Sequence, residues 1–487
     1  MIDLTVHPKT LERAVQRAKE KNIIIPTFKQ QRNPDLIPET VKTRLKTIGL
    51  WDIDPLNLFR INWKNTPVAK GGGYGKVNFI EFPKELTGVD ARIVATVGKW
   101  FPTGSHKVGA AFGCLVPQLV TGQFNPTDTK AVWPSTGNYC RGGAYVSNLL
   151  GCESIAILPE EMSRERFEWL ENVAGEVIAT PGCESNVKEI FDKCWELTAE
   201  RGDDIEIFNQ FDQFGNHLWH YEVTGHAMEE VLKEIMGKND NYAGVVLTSG
   251  SAGTLGCGDY LKKIYPLSKI VASEALQCPT LLNNGFGGHR IEGIGDKHIP
   301  WIHNVRNTDM ITAIDDNYSV RLQRLFNDPV GKEYLKKQGI TSDLIDSLDL
   351  AGLSGIANLV SAIKFAKYYE LTENDVVMTV LTDSMELYGS RLRELDAELG
   401  PYSNDQAARD FEYLMGIGID YVEELTYYGR KRIHNLKYYT WVEQQGKDVE
   451  ELNRQWYDPG YWDEIHQSVA GIDKLTDDFN QLVRSLK

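Results

Sequence analysis

From about residue 90 the apolar positions fall into a repeating rhythm: a short β-branched run, then a stretch with helical spacing. VDARIVATV reads as a strand and HKVGAAFGCLVPQLV as the helix after it. KAVWPS precedes helical YCRGGAYVSNLL. CESIAILP precedes SRERFEWLENV, with Ser163 placed to cap it. EVIATP precedes SNVKEIFDKCWELTAE, and IEIFNQF precedes HLWHYEVTGHAMEEVLKEIM. YAGVVLTSG precedes GTLGCGDYLKKIY, and KIVASEA is one more strand. Near the end of the pattern, helix AGLSGIANLVSAIKFAKYYEL leads to strand DVVMTVL and the turn TDSMELYGS. Strands alternating with helices predict βαβ units and a mainly parallel sheet, hence an α/β fold.

The rhythm is absent at both ends. Residues 1–60 alternate prolines and polar residues with short apolar anchors, as an arm lying on a neighbouring surface or a plain N-terminal extension. After residue 400 the alternation stops, and residues 401–487 read as a helical extension rich in aromatic and charged residues, such as YYGRKRIHNLKYYTW and NRQWYDPGYWDEIH. That extension reads as a packed cap, an oligomer contact or a lid over a site. Residues 61–400 are the expected catalytic core.

Ligands of parallel sheets sit at the carboxyl ends of the strands, so the loops there carry the chemistry. Three stand out. In KWFPTGSHKV, Lys107 opens a helix directly after a turn; a lysine whose pKa is lowered there can hold a carbonyl compound as a Schiff base. In PSTGNY, Ser135, Thr136, Gly137, Asn138 and Tyr139 join a strand to a helix, and small residues at a helix N-terminus suit a carboxylate. In SGSAGT, Gly250, Ser251, Ala252, Gly253 and Thr254 do the same with two glycines and two hydroxyls, which suits a phosphate. Each alone is also a plain turn or a surface lysine. The third loop lacks the GxxxxGK[ST] and GxGxxG patterns, which argues against nucleoside triphosphates and dinucleotides.

Charge narrows the partners. With 52 Lys and Arg against 68 Asp and Glu, the net charge is −16, which argues against nucleic acid as a main partner. The N-terminus lacks the apolar core of a signal peptide, and no run is apolar enough to span a membrane. The seven cysteines are scattered, with no CxxC pair and no zinc spacing among Cys and His. A cytoplasmic protein with reduced thiols and no metal site is expected. An amine, a carboxylate cradle and a phosphate cradle on one sheet together point to pyridoxal phosphate.

These motifs, in this order, resemble the fold-type II pyridoxal-phosphate enzymes, most closely the cysteine synthase and cystathionine β-synthase group, from about Asn57 to Leu395. PTGSHK resembles the Schiff-base lysine motif, and PSTGN the substrate-carboxylate loop, with Asn138 beside the cofactor's phenolic oxygen. PEEMSRERFEWLENVAGEVI, HRIEGIGDKHIP and GLSGIANLVSAIKFAKYY resemble further segments of the family, and Gly293-Ile294-Gly295 lines its cofactor pocket. The resemblance implies two open, mainly parallel twisted sheets flanked by helices, the tryptophan synthase β-like arrangement. A smaller domain of about residues 110–215 is then inserted in the larger one. It implies pyridoxal 5′-phosphate as cofactor, a homodimer or larger assembly, and β-elimination or β-replacement on a small amino acid of the O-acetylserine, cysteine or serine type. That chemistry passes through an external aldimine and an aminoacrylate. Serine or threonine dehydratase, diaminopropionate ammonia-lyase and the cofactor subunit of an amino-ketoacid thiolase remain as alternatives, with a non-catalytic cofactor-binding homologue as a third class.

The chain departs from the family at several points. His106 precedes the lysine, as in tryptophan synthase β-like members, where such a histidine supports the phosphate; a packed first-turn histidine is the other reading. The turn Thr382-Asp383-Ser384 puts Asp383 opposite the pyridine nitrogen, with Thr382 or Ser384 as the other candidates. Tyr139 and Arg141 replace small residues and alter the substrate pocket, where Arg141 could hold a second acidic group. His289 and Glu292 flank the pocket segment. Asp296 and Lys297 replace smaller or apolar residues facing the substrate.

Overall fold

The computed structural model describes residues 2–135, 137–183 and 186–485. Among them, eleven strands form two sheets: β1 Phe79–Phe82, β2 Arg92–Val97, β3 Lys130–Pro134, β4 Ser154–Pro159, β5 Glu176–Thr180, β6 Ile205–Ile207, β7 Asn241–Thr248, β8 Lys269–Ala275, β9 Met310–Ile314, β10 Asp375–Leu381 and β11 Val422–Glu424. The large sheet runs β1-β2-β10-β7-β8-β9-β11 and the small one β5-β4-β3-β6. The small sheet is parallel throughout. The large sheet is parallel from β2 to β9, with antiparallel edges at β1 and β11. The α/β architecture is the one expected from the alternation, and its division into two sheets is the one the family resemblance implies.

The inner strands of the large sheet are buried on both faces: after its first residue every position of β7, β8 and β10 is buried. That is why they read as continuous apolar runs rather than alternating ones. The helix Leu353–Tyr368 packs across β10, β7 and β9, and fourteen of its sixteen residues are buried, which accounts for its near-uniform apolarity. The edge strands β1 and β11 and the five-residue β9 carry too little periodic signal to be read from the chain.

Two local expectations are corrected. HLWHYEVTGHAMEEVLKEIM is not one regular helix: α-helical Phe214–Trp219 and Gly225–Ile235 are joined by a π-turn at His220–Thr224. Ser163 stands at the N-cap of Arg164–Val173 without a side-chain capping bond. Its backbone N–H faces the Glu292 carboxylate instead.

The arm packs on its own chain. The helix Pro8–Glu20 lies against both Lys107–Thr121 and the last helix, Tyr461–Ser485. Ile25 exchanges two hydrogen bonds with Asn480, at 3.0 and 2.8 Å, and Phe28 N–H donates to Asp473. Arm and extension thereby clasp each other over the helix that begins at Lys107. Among the described residues no single helix is long and apolar enough to cross a membrane.

Candidate active site

The loops after β2, β3, β6 and β7 meet at one cavity, whose wall includes Lys107, Ser135, Asn138, Gln210, Ser251 and Asp296. Lys107 is the first residue of the buried helix Lys107–Thr121. Its Nζ donates to Ser251 Oγ at 3.2 Å and Gln210 Oε1 at 3.4 Å. The approach to it is strained. Thr103 has φ of 68° and Ala252, in the facing loop, has φ of 62°. Non-glycine residues occupy that left-handed region at a cost, and such residues cluster at functional sites.

The loop after β7 is built to receive an anion. Ser249 N–H is tied to Ser273 O on β8 at 2.7 Å. Among the described residues, the N–H groups of Gly250, Ser251, Ala252, Gly253 and Thr254 bond to no other group. They stand at the N-terminus of Leu255–Ile264, where the helix dipole adds to their partial charge. Gly253 is required by close approach, since a Cβ there would collide with the Asn216 carboxamide. Asn216 Nδ2 braces the loop through Ser251 Oγ at 3.0 Å.

On the opposite wall, Gly137 has φ of 146° and caps Asn138–Leu149. A Cβ at Gly137 would lie 2.7 Å from Arg166 Cδ. Its N–H donates to Ser135 Oγ at 3.1 Å. The Asn138 Oδ1 is buried and takes no hydrogen bond from the described residues. Tyr139 lines the cavity, its ring packs edge-on against Trp133 at 5.4 Å and its hydroxyl donates to Phe208 O at 3.2 Å. Thr136 lies outside the described residues. Gly293 lines the wall at φ of 94°, and a Cβ there would enter open space.

Three of the expected residues do not line this cavity. The Asp383 carboxylate is committed to a buried network rather than to the cavity wall. Its Oδ2 accepts from Asn138 Nδ2 at 2.6 Å and from Tyr388 Oη at 2.7 Å, with Arg166 Nη2 at 3.7 Å; its Oδ1 faces Gly352. Burial pushes this carboxyl up, against the pull of Arg166. Arg141 is not brought to the cavity either. Its guanidinium packs 5.2 Å from the Trp51 ring and 4.8 Å from that of Trp169, where two aromatic faces compensate a desolvated cation. Burial lowers its pKa to about 10, so it stays charged at neutral pH. His106 is wedged between Trp63 and His220, and burial holds it neutral, with a pKa of about 3.

Gln210, Asn216, Arg166 and Tyr388 were not singled out from the chain. Gln210 follows β6, so the carboxyl-end rule that selected the other loops also points to it. Arg166 and Tyr388 carry no such signal, because they act from behind the wall. Arg166 pairs with buried Glu292, which also accepts from Arg391 Nε at 2.6 Å. That pairing makes Glu292 a structural anchor. A larger cleft lies beyond His289 and Glu292, but its described walls hold no lysine and no nest of free N–H groups, both of which lie at the smaller cavity.

The residues present fit pyridoxal phosphate. An amine faces a nest of five free N–H groups, and the wall between them is opened by the missing Cβ of Gly293.

The model of the family described as pyridoxal-phosphate dependent enzyme matches residues 98–331. A cysteine synthase of Staphylococcus aureus is 33% identical over 292 residues, covering 59% of this chain and 84% of that protein. The cystathionine β-synthase of Saccharomyces cerevisiae is 26% identical over 317 residues, covering 63% and 59%. Among solved structures, the O-acetylserine dependent cystathionine β-synthase from Helicobacter pylori is 25% identical with a TM-score of 0.54, covering 65% of this chain and 95% of that one. A cysteine synthase from Entamoeba histolytica, 20% identical with a TM-score of 0.56, covers 70% and 94% and shares the fold. With the lysine, the phosphate nest and these relatives in agreement, the chain belongs to the pyridoxal-phosphate dependent enzyme family, in the group that holds cysteine synthase and cystathionine β-synthase.

Proposed function

We propose that this enzyme carries out β-elimination or β-replacement on a small amino acid of the O-acetylserine, cysteine or serine type. The observation that carries the reading is the Lys107 amine set between two cradles, the Gly250–Thr254 nest and the Ser135–Asn138 turn. Bound pyridoxal phosphate supplies an aldehyde for amines and an electron sink for charge developing at Cα. The nest would hold the phosphate, and Lys107 Nζ would hold the aldehyde carbon. The substrate carboxylate would lie on Ser135, Gly137 and Asn138 at the helix N-terminus. The Lys107 amine, oriented by Ser251 Oγ and Gln210 Oε1, would take the Cα proton as general base, and the electron pair left at Cα would expel the leaving group on Cβ.

Asp296 favours a second reading in the same cavity. Its carboxylate lines the wall 3.0 Å from His298 Nδ1 and suits a substrate or acceptor with a cationic group, as in a diaminopropionate ammonia-lyase. One experiment tests both. The holoenzyme is mixed in turn with O-acetylserine, cysteine, serine, threonine and diaminopropionate, its visible spectrum is followed, and products are analysed. A change with one of the first three, with loss of its β-substituent, supports the main reading. A response to diaminopropionate alone moves it to the second, and no response to any overturns both.

A further inference from the structure

Away from the Lys107 cavity, three ligand atoms converge. His217 Nε2 and His466 Nε2 are 3.0 Å apart, and Asp259 Oδ2 lies 3.7 Å from the first and 3.8 Å from the second. All three side chains are buried. His217 comes from Phe214–Trp219, Asp259 from Leu255–Ile264 and His466 from Tyr461–Ser485. We propose that these three residues bind one divalent transition-metal ion of the zinc class, which fastens the C-terminal extension to the catalytic core.

The separations suit such an ion. Ligands at tetrahedral zinc, bonded at about 2.0–2.1 Å, lie about 3.4 Å from one another, and the three distances here straddle that value. Two imidazoles and one carboxylate are a donor set for zinc, cobalt or iron rather than for magnesium or calcium. The carboxylate is held in place from behind: Asn304 Nδ2 donates to its Oδ2 at 2.8 Å and Asn307 Nδ2 to its Oδ1 at 2.6 Å, as outer partners of metal ligands do. An open cleft lined by Asp259, Lys263, Asn304 and His466 lies at the site and leaves room for a water as fourth ligand.

The buried Asp259 carboxylate bonds to two neutral carboxamides and, among the described residues, forms no ion pair with a lysine or an arginine, so a cation would supply its counter-charge. The lysines nearby are engaged elsewhere: Lys262 pairs with Asp309 at 2.5 Å and Lys263 with Asp463 at 2.7 Å. Lys263 Nζ also lies 3.3 Å from His466 Nδ1, and it must turn fully toward Asp463 when the metal binds. The competing arrangement is a single hydrogen bond between the two imidazoles.

The test uses the chelator-treated holoenzyme, titrated with Co(II) and then Zn(II). One equivalent of Co(II) should produce the visible bands of a tetrahedral site, Zn(II) should displace them, and Zn(II) should raise the unfolding temperature. Losing an outer partner of a metal ligand costs about 10–100-fold in affinity, so losing a ligand through His466→Gln should weaken Zn(II) binding by at least about 100-fold. The cofactor absorption of H466Q checks that its core is folded. A wild-type protein that takes up no Co(II) leaves only an imidazole pair and overturns the proposal. So does equal Zn(II) affinity in the wild type, H466Q and Asp259→Asn.

Discussion

Asn138 Nδ2 donates to Asp383 Oδ2 across 2.6 Å, joining the turn after β3 in the small sheet to the turn after β10 in the large one. The bond is one link of a buried chain that runs through Tyr388, Arg166 and Glu292 to Arg391. The chain makes the two sheets' catalytic turns one rigid unit, and it spends the Asp383 charge on that task.

Asp383→Asn should therefore act on stability first. It removes one counter-charge of buried Arg166 and leaves Glu292, so the loss should be about 3 kcal/mol, the low end for breaking a buried pair. Denaturant unfolding of the holoenzyme measures it. The visible absorption maximum should stay in place, because the carboxylate is turned toward Asn138 and Tyr388. A shifted maximum would return Asp383 to the cofactor's ring nitrogen.

Gly253→Ala should damage the phosphate nest with little effect elsewhere. The added methyl runs into the Asn216 carboxamide, which holds Ser251 Oγ and Gln210 O. Overpacking of this kind costs about 1–3 kcal/mol, felt here as a pyridoxal phosphate affinity about tenfold or more lower. Absorbance titration with the cofactor reads it. Lys107→Ala should lose the visible band altogether while still binding the cofactor's phosphate. A G253A protein with wild-type affinity would mean that the phosphate sits on another loop.

How much was legible follows from where each residue acts. Lys107, Asn138 and the Gly250–Thr254 loop could be singled out because they stand in short motifs at strand ends, and folding brings Lys107, Asn138, Gly250 and Ser251 to one cavity. The α/β class was readable because β7, β8 and β10 are buried on both faces and flanked by amphipathic helices, whereas the division into two sheets came from the family resemblance. The setting of Arg141 was not legible because nothing near it in the chain announces Trp51 and Trp169, which come from the arm and from another helix. The setting of Asp383 was hidden for a similar reason: its partners Asn138 and Arg166 are far away in sequence. The His217, Asp259 and His466 cluster has no metal-site spacing at all, and only folding assembles it.

Arg141→Gln separates a packing role from a substrate role. The guanidinium fills the space between two indoles, and a buried cation–π contact contributes up to about 2 kcal/mol. The variant should lose about 1–2 kcal/mol in denaturant unfolding, with KM for the amino acid substrate unchanged within about twofold. A KM raised about tenfold or more, with stability intact, would move Arg141 into the substrate pocket.

Acid should destabilise the protein well above the range where carboxylates protonate. Burial holds His106 at about 3, His226 and His289 at about 4 and His434 at about 2, whereas an unfolded chain's imidazoles take a proton near pH 6.5. From about pH 6.5 down to about 4 the unfolded state binds protons that the folded state refuses. Stability then rises with pH, and it is lost as pH falls through that window. Glu274, raised to about 8, and Asp473, raised to about 6, act with the opposite sign. Folded, they keep protons that the unfolded chain releases above about pH 4, so each favours the folded state as pH falls. In all, eight histidines are held down by burial against three carboxyls raised to about 6 or above, Asp259 being the third, so the urea midpoint should drop between pH 6.5 and pH 5. His434 belongs to the extension, far from Lys107 in the chain, and His434→Gln should flatten that slope by about one proton. A midpoint that holds or rises on acidification, or an H434Q slope equal to wild type, would show that these imidazoles are already charged in the folded protein.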